Sequence, residues 1–405
     1  MNLIYQIIIR LYGAIIYIAS PFSLKARQWL NGRKNLEDYL PDGTKHNIIW
    51  FHCASLGEYM QAKPLIKALK ERHIEHKILL TFFSPSGYLN SGKNEYIDYK
   101  AYLPLDTLNN AHSFLERTKP KIALFIKSEL WPNFFKKMHN NTIPIYVVSA
   151  IFKPQNYLFK FYGKWHLRIL KGVSHFFVQD DKSKTLLNNK GIYQVTVSGD
   201  NRYDKVFEDS IQSKEIPYIK SFKGSRPLIV AGSTYKIDSK MLINISNRMP
   251  KVKFILAPHE IKLCNDLKKY GLLYSQANND NIKNHTILII DKIGILSQLY
   301  QYANLSYIGG GFGKGLHNIL EAIAFGSYVL FGPKFHNYEE AKEVIRKGIG
   351  QSIKNEDELE KVIKQLIDNK HNKNDALDFI SERKGANKII VNTINNYNTT
   401  IKNFN

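Results

Sequence analysis

A glycine-rich stretch that follows an apolar run carries the clearest chemical signal in the sequence. Tyr307-Ile-Gly-Gly-Gly-Phe-Gly-Lys-Gly-Leu-His-Asn-Ile-Leu-Glu321 predicts a strand, a glycine loop and a helix. Glycines lack the Cβ atom that keeps a backbone away from an anion, and the free N–H groups of a helix start attract phosphate. The stretch predicts a nucleotide-phosphate cradle, although a glycine turn between buried elements is the alternative. The predicted cradle glycines are Gly309, Gly310, Gly311, Gly313 and Gly315.

Three polar side chains at the end of this stretch predict contacts to a nucleotide. Residues three and four apart are neighbours on a helix, so His317, Asn318 and Glu321 would share one face of its first two turns. A carboxylate at Glu321 could accept both hydroxyls of a ribose. The alternative is that Glu321 is an ordinary solvated helix residue.

A candidate for proton chemistry lies in His52-Cys-Ala-Ser-Leu-Gly-Glu58, where a predicted strand runs into a helix. Ligands of open α/β sheets lie beyond the carboxyl ends of strands, so Glu58 could act as a general base, with Ser55 and Gly57 lining the cleft. Equally, Glu58 could only complement the helix dipole. Glu129 follows the predicted strand at residues 122–126 and could assist Glu58 or orient substrate. The alternative is that its segment is plain loop structure.

Three further segments place polar side chains after predicted strands. Arg202 could reach a carboxylate or phosphate between two domains, or be a surface arginine. Ser233 lies in a small turn that could bind an anion, and His259 could contact a phosphate or a base, or be a loop residue. The 13 histidines show no HExxH motif, and the sequence has no carboxylate-rich DxD spacing. A mechanism without a metal or cofactor is therefore expected.

Composition limits the classes of protein and partner. A chain of 405 residues exceeds the size of one core, so two domains are expected. The net charge of +22, from 57 basic and 35 acidic residues, favours acidic partners: nucleic acid, anionic lipid or a phosphorylated substrate. Compositional bias toward lysine is a partial alternative. Only two cysteines occur, which indicates a reducing compartment and argues against a disulfide scaffold.

The amino terminus is apolar from residue 3 to residue 22 but carries Arg10 in its middle, which makes it too polar for a comfortable membrane span. Lys25, Arg27, Arg33 and Lys34 follow, so the next domain should face the cytoplasm. We interpret residues 1–30 as a membrane anchor or an in-plane amphipathic helix. A buried helix packed on the first domain is the alternative.

Two series of apolar runs alternate with amphipathic stretches, which predicts an α/β protein with two doubly wound parallel sheets. The predicted strands are residues 48–52, 77–82, 122–126, 143–149, 175–178 and 194–198, then 228–231, 253–256, 286–290, 305–308 and 328–331. The predicted segments are a Rossmann-like domain at 31–204, a linker at 205–225, a second Rossmann-like domain at 226–385 and a carboxyl-terminal helix at 386–405 that could cross back to the first domain.

Taken in order, these motifs resemble the 3-deoxy-D-manno-octulosonic acid (Kdo) transferases of lipopolysaccharide assembly, which are inverting GT-B glycosyltransferases with two Rossmann-like domains facing a central cleft. The resemblance covers nearly the whole chain. It rests on the apolar start, Ser55-Leu-Gly-Glu58, Ser128-Glu-Leu-Trp-Pro-Asn133, Gly199 to Asp204, Gly232-Ser-Thr234, and the cradle with Phe331-Gly-Pro333.

The resemblance implies that Glu58 is the catalytic base and Glu129 a second active-site carboxylate. It implies that the domain at 31–204 binds the acceptor and the domain at 226–385 binds the CMP-sugar. Ser233, His259, Gly311, Asn318 and Glu321 would belong to the CMP-sugar site. The reaction would move Kdo from CMP-Kdo to a lipid A precursor at the cytoplasmic face of the inner membrane.

The family commonly has Glu-Thr-Glu where this chain has Lys127-Ser128-Glu129, and an arginine near His259. We expect Lys314 to supply the phosphate contact of that missing arginine. The rival interpretations are a GT-B enzyme with a UDP-sugar donor and a basic nucleic-acid-binding protein. No zinc finger, RNA-recognition signature or basic helix supports the second.

Overall fold

The computed structural model of the chain describes residues 2–127, 130–368 and 371–402. The chain forms two compact units, one made of residues 1–205 and 384–405 and the other of residues 206–383. We refer to them as the first unit and the second unit.

The first unit is built on a parallel sheet of seven strands within the described residues, in the order β3-β2-β1-β4-β5-β6-β7. The central strands are almost continuous runs of apolar residues, as expected for a sheet that is covered by helices on both faces. The strands are β1 (Ile48–Cys53), β2 (Lys77–Phe82), β3 (Tyr99–Tyr102), β4 (Ile122–Ile126), β5 (Ile145–Ala150), β6 (His175–Val178) and β7 (Val195–Val197).

Helices connect these strands, and the last of them contains the boundary between the units. They are α1 (Asn2–Ala19), α2 (Leu24–Asn31), α3 (Leu56–Arg72), α4 (Pro85–Asn90), α5 (Leu108–Thr118), α6 (Pro132–Asn140), α7 (Lys164–Leu170), α8 (Asp181–Asn188) and α9 (Asn201–Ile211).

The second unit repeats the same plan, with the described strands ordered β10-β11-β9-β8-β12-β13-β14, all parallel. Its strands are β8 (Leu228–Thr234), β9 (Lys253–Pro258), β10 (Leu272–Leu273), β11 (Ile287–Ile289), β12 (Leu305–Ile308), β13 (Tyr328–Phe331) and β14 (Gly350–Ser352). Its helices are α10 (Ile219–Lys223), α11 (Lys236–Arg248), α12 (Cys264–Leu267), α13 (Leu296–Leu299), α14 (Leu320–Ile323), α15 (Glu339–Arg346), α16 (Glu356–Asp368) and α17 (Lys373–Ser381).

The expected fold class, two doubly wound α/β domains of the GT-B type, is confirmed by these sheets. Residues 205–225, which we interpreted as a linker, contain most of α9 and all of α10. Helix α10 packs within the second unit, where the Ile216 N–H donates to the Tyr302 hydroxyl at 2.8 Å and Lys223 Nζ donates to the Tyr302 carbonyl at 2.7 Å.

Helix α1 leaves most of its apolar side chains exposed and buries Gln6 and Ile9 against the first unit. Gln6 is buried, whereas the exposed side chains include Leu3, Ile4, Ile7, Ile8, Leu11, Ile15 and Ile18. Among the described helices none is long and apolar enough by itself to cross a membrane; only α1 and α2 together pass that test, and the chain bends by 119° between them.

The last described helix, α18 (Ala386–Lys402), belongs to the first unit. Its residues Ile390, Val391 and Ile394 are buried in the same apolar cluster as α3 and one face of the sheet. The Asp204 carboxylate accepts hydrogen bonds from the Gly385 and Ala386 N–H groups, both at 3.1 Å, and so satisfies donors that a helix start leaves unpaired.

We expect Ile390→Ala to destabilise the first unit by about 2–5 kcal/mol, since this side chain is fully buried and its removal leaves a cavity. The neighbouring Ile389→Ala is the matched control, because Ile389 is 39% exposed and should cost less than about 1 kcal/mol. All four tryptophans of the chain lie in residues 1–205, so tryptophan fluorescence during urea unfolding reports on this unit. Equal midpoints for the two variants would contradict the packing of α18.

Candidate functional site

The strand order reverses at one point in each sheet, and the predicted site residues follow the strands that flank these points. In the first unit β1 lies between β2 and β4, and in the second unit β8 lies between β9 and β12. Ligands of open α/β sheets bind beyond the carboxyl ends of the strands at such a reversal. Ser55 and Glu58 follow β1, and Gly309 follows β12.

Glu58 closes a capping box at the start of α3. Its Oε2 atom accepts a hydrogen bond from the Ser55 N–H at 3.0 Å, and the Glu58 N–H donates to Ser55 Oγ at 3.4 Å. Two backbone donors of the helix start are thereby satisfied reciprocally. Glu58 therefore does stabilise the start of the helix, as the alternative interpretation of this residue expected.

The same carboxylate has the electrostatics of a general base. Glu58 is only 8% exposed, and burial raises its pKa above the ordinary glutamate value. The positive charge of Lys127 and hydrogen bonds from Ser55 and Ala54 oppose that rise, so the side chain can exist as a carboxylate and still bind a proton readily. Ser55 is half-buried and Gly57 is exposed beside it.

The other candidates of the first unit are placed as follows. Glu129 lies outside the described residues, together with Ser128. Lys127, just before them, has a left-handed backbone with φ of 61° at the end of β4. Arg202 pairs locally, because its Nε and Nη2 atoms both lie 2.7 Å from Asp200 Oδ2.

Close backbone packing accounts for the glycines of the loop after β12. A Cβ atom at Gly309 would lie closer than 3.0 Å to the Ser233 carbonyl, and one at Gly311 closer than 3.0 Å to the backbone of Gly332. Gly310 has a φ of 93° and a Cβ there would meet the Gly315 carbonyl. The loops after β8, β12 and β13 therefore approach so closely that side chains are excluded, whether or not a ligand binds.

The prediction that His317, Asn318 and Glu321 share the first two turns of one helix is wrong, because that helix is shorter and begins later. Helix α14 has only four residues, Leu320–Ile323, so His317 and Asn318 precede it and only Glu321 lies in its first turn. Gly310 and Gly315 take left-handed conformations in the loop that precedes it. Asn318 still meets Glu321, donating from Nδ2 to Oε1 at 3.1 Å, and its own Oδ1 accepts the Leu320 N–H.

Three rings from three different loops meet at the reversal point of the second sheet. The ring centroids of His259 and His317 are 4.5 Å apart, and those of Tyr235 lie 5.1 and 5.6 Å from them. His317 Nε2 is 3.2 Å from the Tyr235 hydroxyl, and Lys314 Nζ lies over the Tyr235 ring at 5.3 Å. Burial lowers the pKa of His317, which favours the neutral imidazole. The cluster offers flat faces for a base and a cation for an anion.

Two residues that the sequence analysis missed hold this cluster in place. Tyr235 directly follows Thr234 at the end of β8, and that position was the available signal. Asp238 is fully buried and accepts hydrogen bonds from the Tyr235 N–H at 2.8 Å, the Tyr307 hydroxyl at 2.6 Å and the Gly310 N–H at 3.2 Å. Ser233 has a left-handed φ of 53° where β8 bulges against β9, a strain typical of functional loops.

One group of side chains in the described part of the chain could hold a metal ion, namely His73, Glu75 and His76, whose ligand atoms lie within 4.8 Å of one another. It lies between α3 and the amino end of β2. Because the strands are parallel, this is the edge of the sheet opposite to Glu58. The group is therefore separate from the candidate site.

Comparison with known proteins identifies the family. Residues 28–205 match the family model described as 3-Deoxy-D-manno-octulosonic-acid transferase (kdotransferase). A 3-deoxy-D-manno-octulosonic acid transferase of Aquifex aeolicus is 30% identical over 331 residues, which cover 79% of this chain and 86% of that relative. The chain belongs to the 3-deoxy-D-manno-octulosonic acid transferase family of glycosyltransferases. The resemblance deduced from the ordered motifs is confirmed.

Other relatives of this family member differ in length. A bifunctional glycosyltransferase/methyltransferase of Fusobacterium nucleatum is 27% identical over 379 residues, which are 89% of this chain; the chain spans 58% of that relative. Among solved structures, a UDP-GlcNAc 2-epimerase from Neisseria meningitidis superposes with a TM-score of 0.57 and 17% identity, covering 86% of this chain and 98% of that one. At this identity the epimerase shows the fold alone.

We expect Gly309→Ala to unfold or displace the loop after β12, because the added Cβ would meet the Ser233 backbone, which cannot move aside as a side chain would. Gly313→Ala is the control: a Cβ there has nothing within 4 Å. Calorimetric melting of the full chain should show a lower melting temperature for the first variant and near wild-type behaviour for the second. Wild-type melting in Gly309→Ala would show that the loops do not pack as described.

Proposed function

We propose that this chain transfers Kdo from CMP-Kdo to a hydroxyl of a lipid IVA-like lipid A precursor, with inversion and without a metal, at the cytoplasmic face of the inner membrane. Family membership supports Kdo transfer in lipopolysaccharide synthesis. The observation that carries the mechanism is Glu58, a buried carboxylate with a raised pKa at the strand reversal of the first unit.

The proposed step is a single displacement. The acceptor hydroxyl oxygen attacks the anomeric carbon of Kdo while the bond from that carbon to the CMP phosphate breaks. The bonding electron pair leaves with the phosphate oxygen, and the hydroxyl proton passes to Glu58. The raised pKa of Glu58 suits this task, because a base whose pKa lies closer to the working pH accepts a proton more effectively.

The second unit supplies groups that suit a nucleotide monophosphate leaving group. The rings of Tyr235, His259 and His317 form a stacking surface, and Lys314 is a cation beside it. In this proposal the Asn318–Glu321 pair receives the ribose, and backbone N–H groups of the glycine loop with Lys314 stabilise the charge that develops on CMP. Glu129 is proposed as a second carboxylate on the acceptor side.

An anionic bilayer is the surface that fits the outward face of α1. Exposed apolar side chains run along that helix and continue into Phe22 and Leu24 beyond it, where Lys25 and Arg27 are exposed too. The loop that precedes α7 adds exposed Tyr157 and Phe161. Contiguous exposed apolar side chains mixed with cations are typical of interfacial membrane binding, and lysines near the surface attract anionic lipid. A lipid acceptor would be extracted at this face.

We predict that Glu58→Gln abolishes most Kdo transfer while the fold and CMP binding persist. Glutamine can keep the capping box with Ser55 but cannot take a proton, so the change separates catalysis from structure. Transfer should fall at least about 100-fold, in line with the loss of a general base. The measurement is mass spectrometry of products from lipid IVA with CMP-Kdo, and with UDP-sugars as competing donors.

Ser55→Ala is the matched control, because it breaks the capping box and leaves the carboxylate. It should cost about 1 kcal/mol of stability and far less activity than Glu58→Gln.

In the wild-type enzyme, kcat/KM should fall as the pH drops through a value above the ordinary pKa of glutamate, since the protonated Glu58 cannot act as a base. Full activity in Glu58→Gln would show that Glu58 is not the base. Turnover of UDP-sugars but not of CMP-Kdo would show that the donor is a UDP-sugar.

We predict that the double change Ile8→Glu and Ile15→Glu releases the protein from vesicles that contain anionic lipid. Both side chains are exposed on α1, so the change removes bilayer contacts without opening the core. Ile74→Glu is the control, because Ile74 is equally exposed but lies in the turn after α3. Vesicle co-sedimentation at low and high salt measures the effect. Undiminished sedimentation of the double variant would exclude α1 as the membrane contact.

A further inference from the structure

The inward face of α1 carries two hydrogen bonds to distant parts of the first unit. The Tyr5 hydroxyl donates to Asp106 Oδ2 at 2.6 Å, and Gln6 Nε2 donates to Asn133 Oδ1 at 2.7 Å. Their chain neighbours Ile4 and Ile7 are exposed. Ile9 is buried as well, so the inward face of α1 combines apolar packing with these two polar contacts.

Asp106 joins α1 to the start of α6. It is fully buried, and its carboxylate also accepts the Asn133 N–H at 3.1 Å and the Phe134 N–H at 3.0 Å. Asn133 Nδ2 donates back to the Asp106 carbonyl. Burial raises the pKa of Asp106 to about 6 and the donated hydrogen bonds counter that rise, so the ionised carboxylate depends on its donors. Tyr5 is one of these few donors and the one that belongs to α1.

A row of aromatic rings makes a second connection between α1 and the candidate site. Tyr12 stacks on Phe83 with centroids 6.2 Å apart, and Phe83 contacts Trp131 at 4.8 Å. Trp131 immediately precedes α6 and meets the His52 ring edge-on at 5.9 Å. His52 lies in β1, the strand that leads into the capping box of Glu58. The first connection therefore ends at the start of α6, and the second ends at β1, the strand that leads to Glu58.

We propose that α1 is a positioning element of the transferase site, in which Tyr5 and Gln6 hold the start of α6 and Trp131 in register with the end of β1. The proposal rests on the proposed function. Tyr5 and Gln6 are positioning residues, because they act through Asp106 and Asn133 rather than on the substrate. Since the opposite face of α1 is the one that fits a bilayer, arrival at the membrane and the geometry around Glu58 are coupled through a single helix.

The test compares Tyr5→Phe with Tyr193→Phe in the full-length protein. Both changes remove one hydroxyl, but Tyr193 is exposed in the turn before β7 and far along the chain from α1. Loss of the Tyr5 hydroxyl, a hydrogen-bond donor to a buried carboxylate, should lower kcat by about tenfold. The KM for CMP-Kdo should stay unchanged, because the residues proposed to bind CMP-Kdo lie in the second unit. Lipid IVA in detergent micelles serves as acceptor, so vesicle binding does not enter the result.

Amide hydrogen exchange of the peptide that covers residues 131–140 gives a readout independent of activity. Tyr5→Phe should speed exchange there, whereas Tyr193→Phe should match the wild type. Gln6→Leu provides a second variant and should produce the same pattern, since it removes the donor to Asn133.

The outcomes separate this inference from the proposed function. Absence of Kdo transfer by the wild type would contradict the proposed function. The hydrogen-exchange data would then show by themselves whether α1 holds the start of α6 in place. An active wild type with unchanged kcat and unchanged exchange in both Tyr5→Phe and Gln6→Leu would overturn the inference alone. A lower melting temperature with neither change would assign α1 a purely structural role and overturn it as well.

Discussion

Hydrogen bonds from backbone N–H groups to buried or half-buried carboxylates hold the loops on which this protein's chemistry depends. Glu58 receives such bonds at the start of α3, Asp106 at α6, Asp238 beside the glycine loop and Asp204 at α18. A helix start leaves its first donors unpaired, and an ionised acceptor bonds them more strongly than a neutral one. The same interaction thus fixes the proposed base Glu58, the glycine loop of the second unit and the closing helix of the first unit.

The two units use the strand-reversal position for different chemistry. In the first unit the loop after β1 offers one buried carboxylate of raised pKa, which suits proton removal. In the second unit the loops after β8, β9 and β12 offer three rings and a lysine, which suit a flat anionic ligand.

Much of the architecture follows from local patterns. The buried strands β2, β4, β12 and β13 were predicted with their exact bounds, since continuous apolar runs have few other uses. Strands β3 and β14 were missed because they are short edge strands of mixed polarity, and β10 was missed because it has only two residues. The helix after the glycine loop was overestimated, because spacing alone cannot show that Asn318 Oδ1 accepts the Leu320 N–H and that the helix begins only there. Asp106 and Asp238 escaped notice because each has a hydrogen-bond partner far away in the chain, Tyr5 at 101 residues and Tyr307 at 69 residues.

Helix α18 has a consequence for how the polypeptide is made. Ile390, Val391 and Ile394 complete the apolar interior of the first unit, yet the ribosome synthesises them after the whole of residues 206–383. The portion that emerges earliest must therefore wait, with part of its interior open to water, until these residues of α18 have been synthesised and can pack. The portion that emerges later can complete its own interior sooner, which reverses the usual amino-to-carboxyl order of maturation. Nascent chains stalled before residue 386 should accordingly depend on chaperones that shield apolar surface.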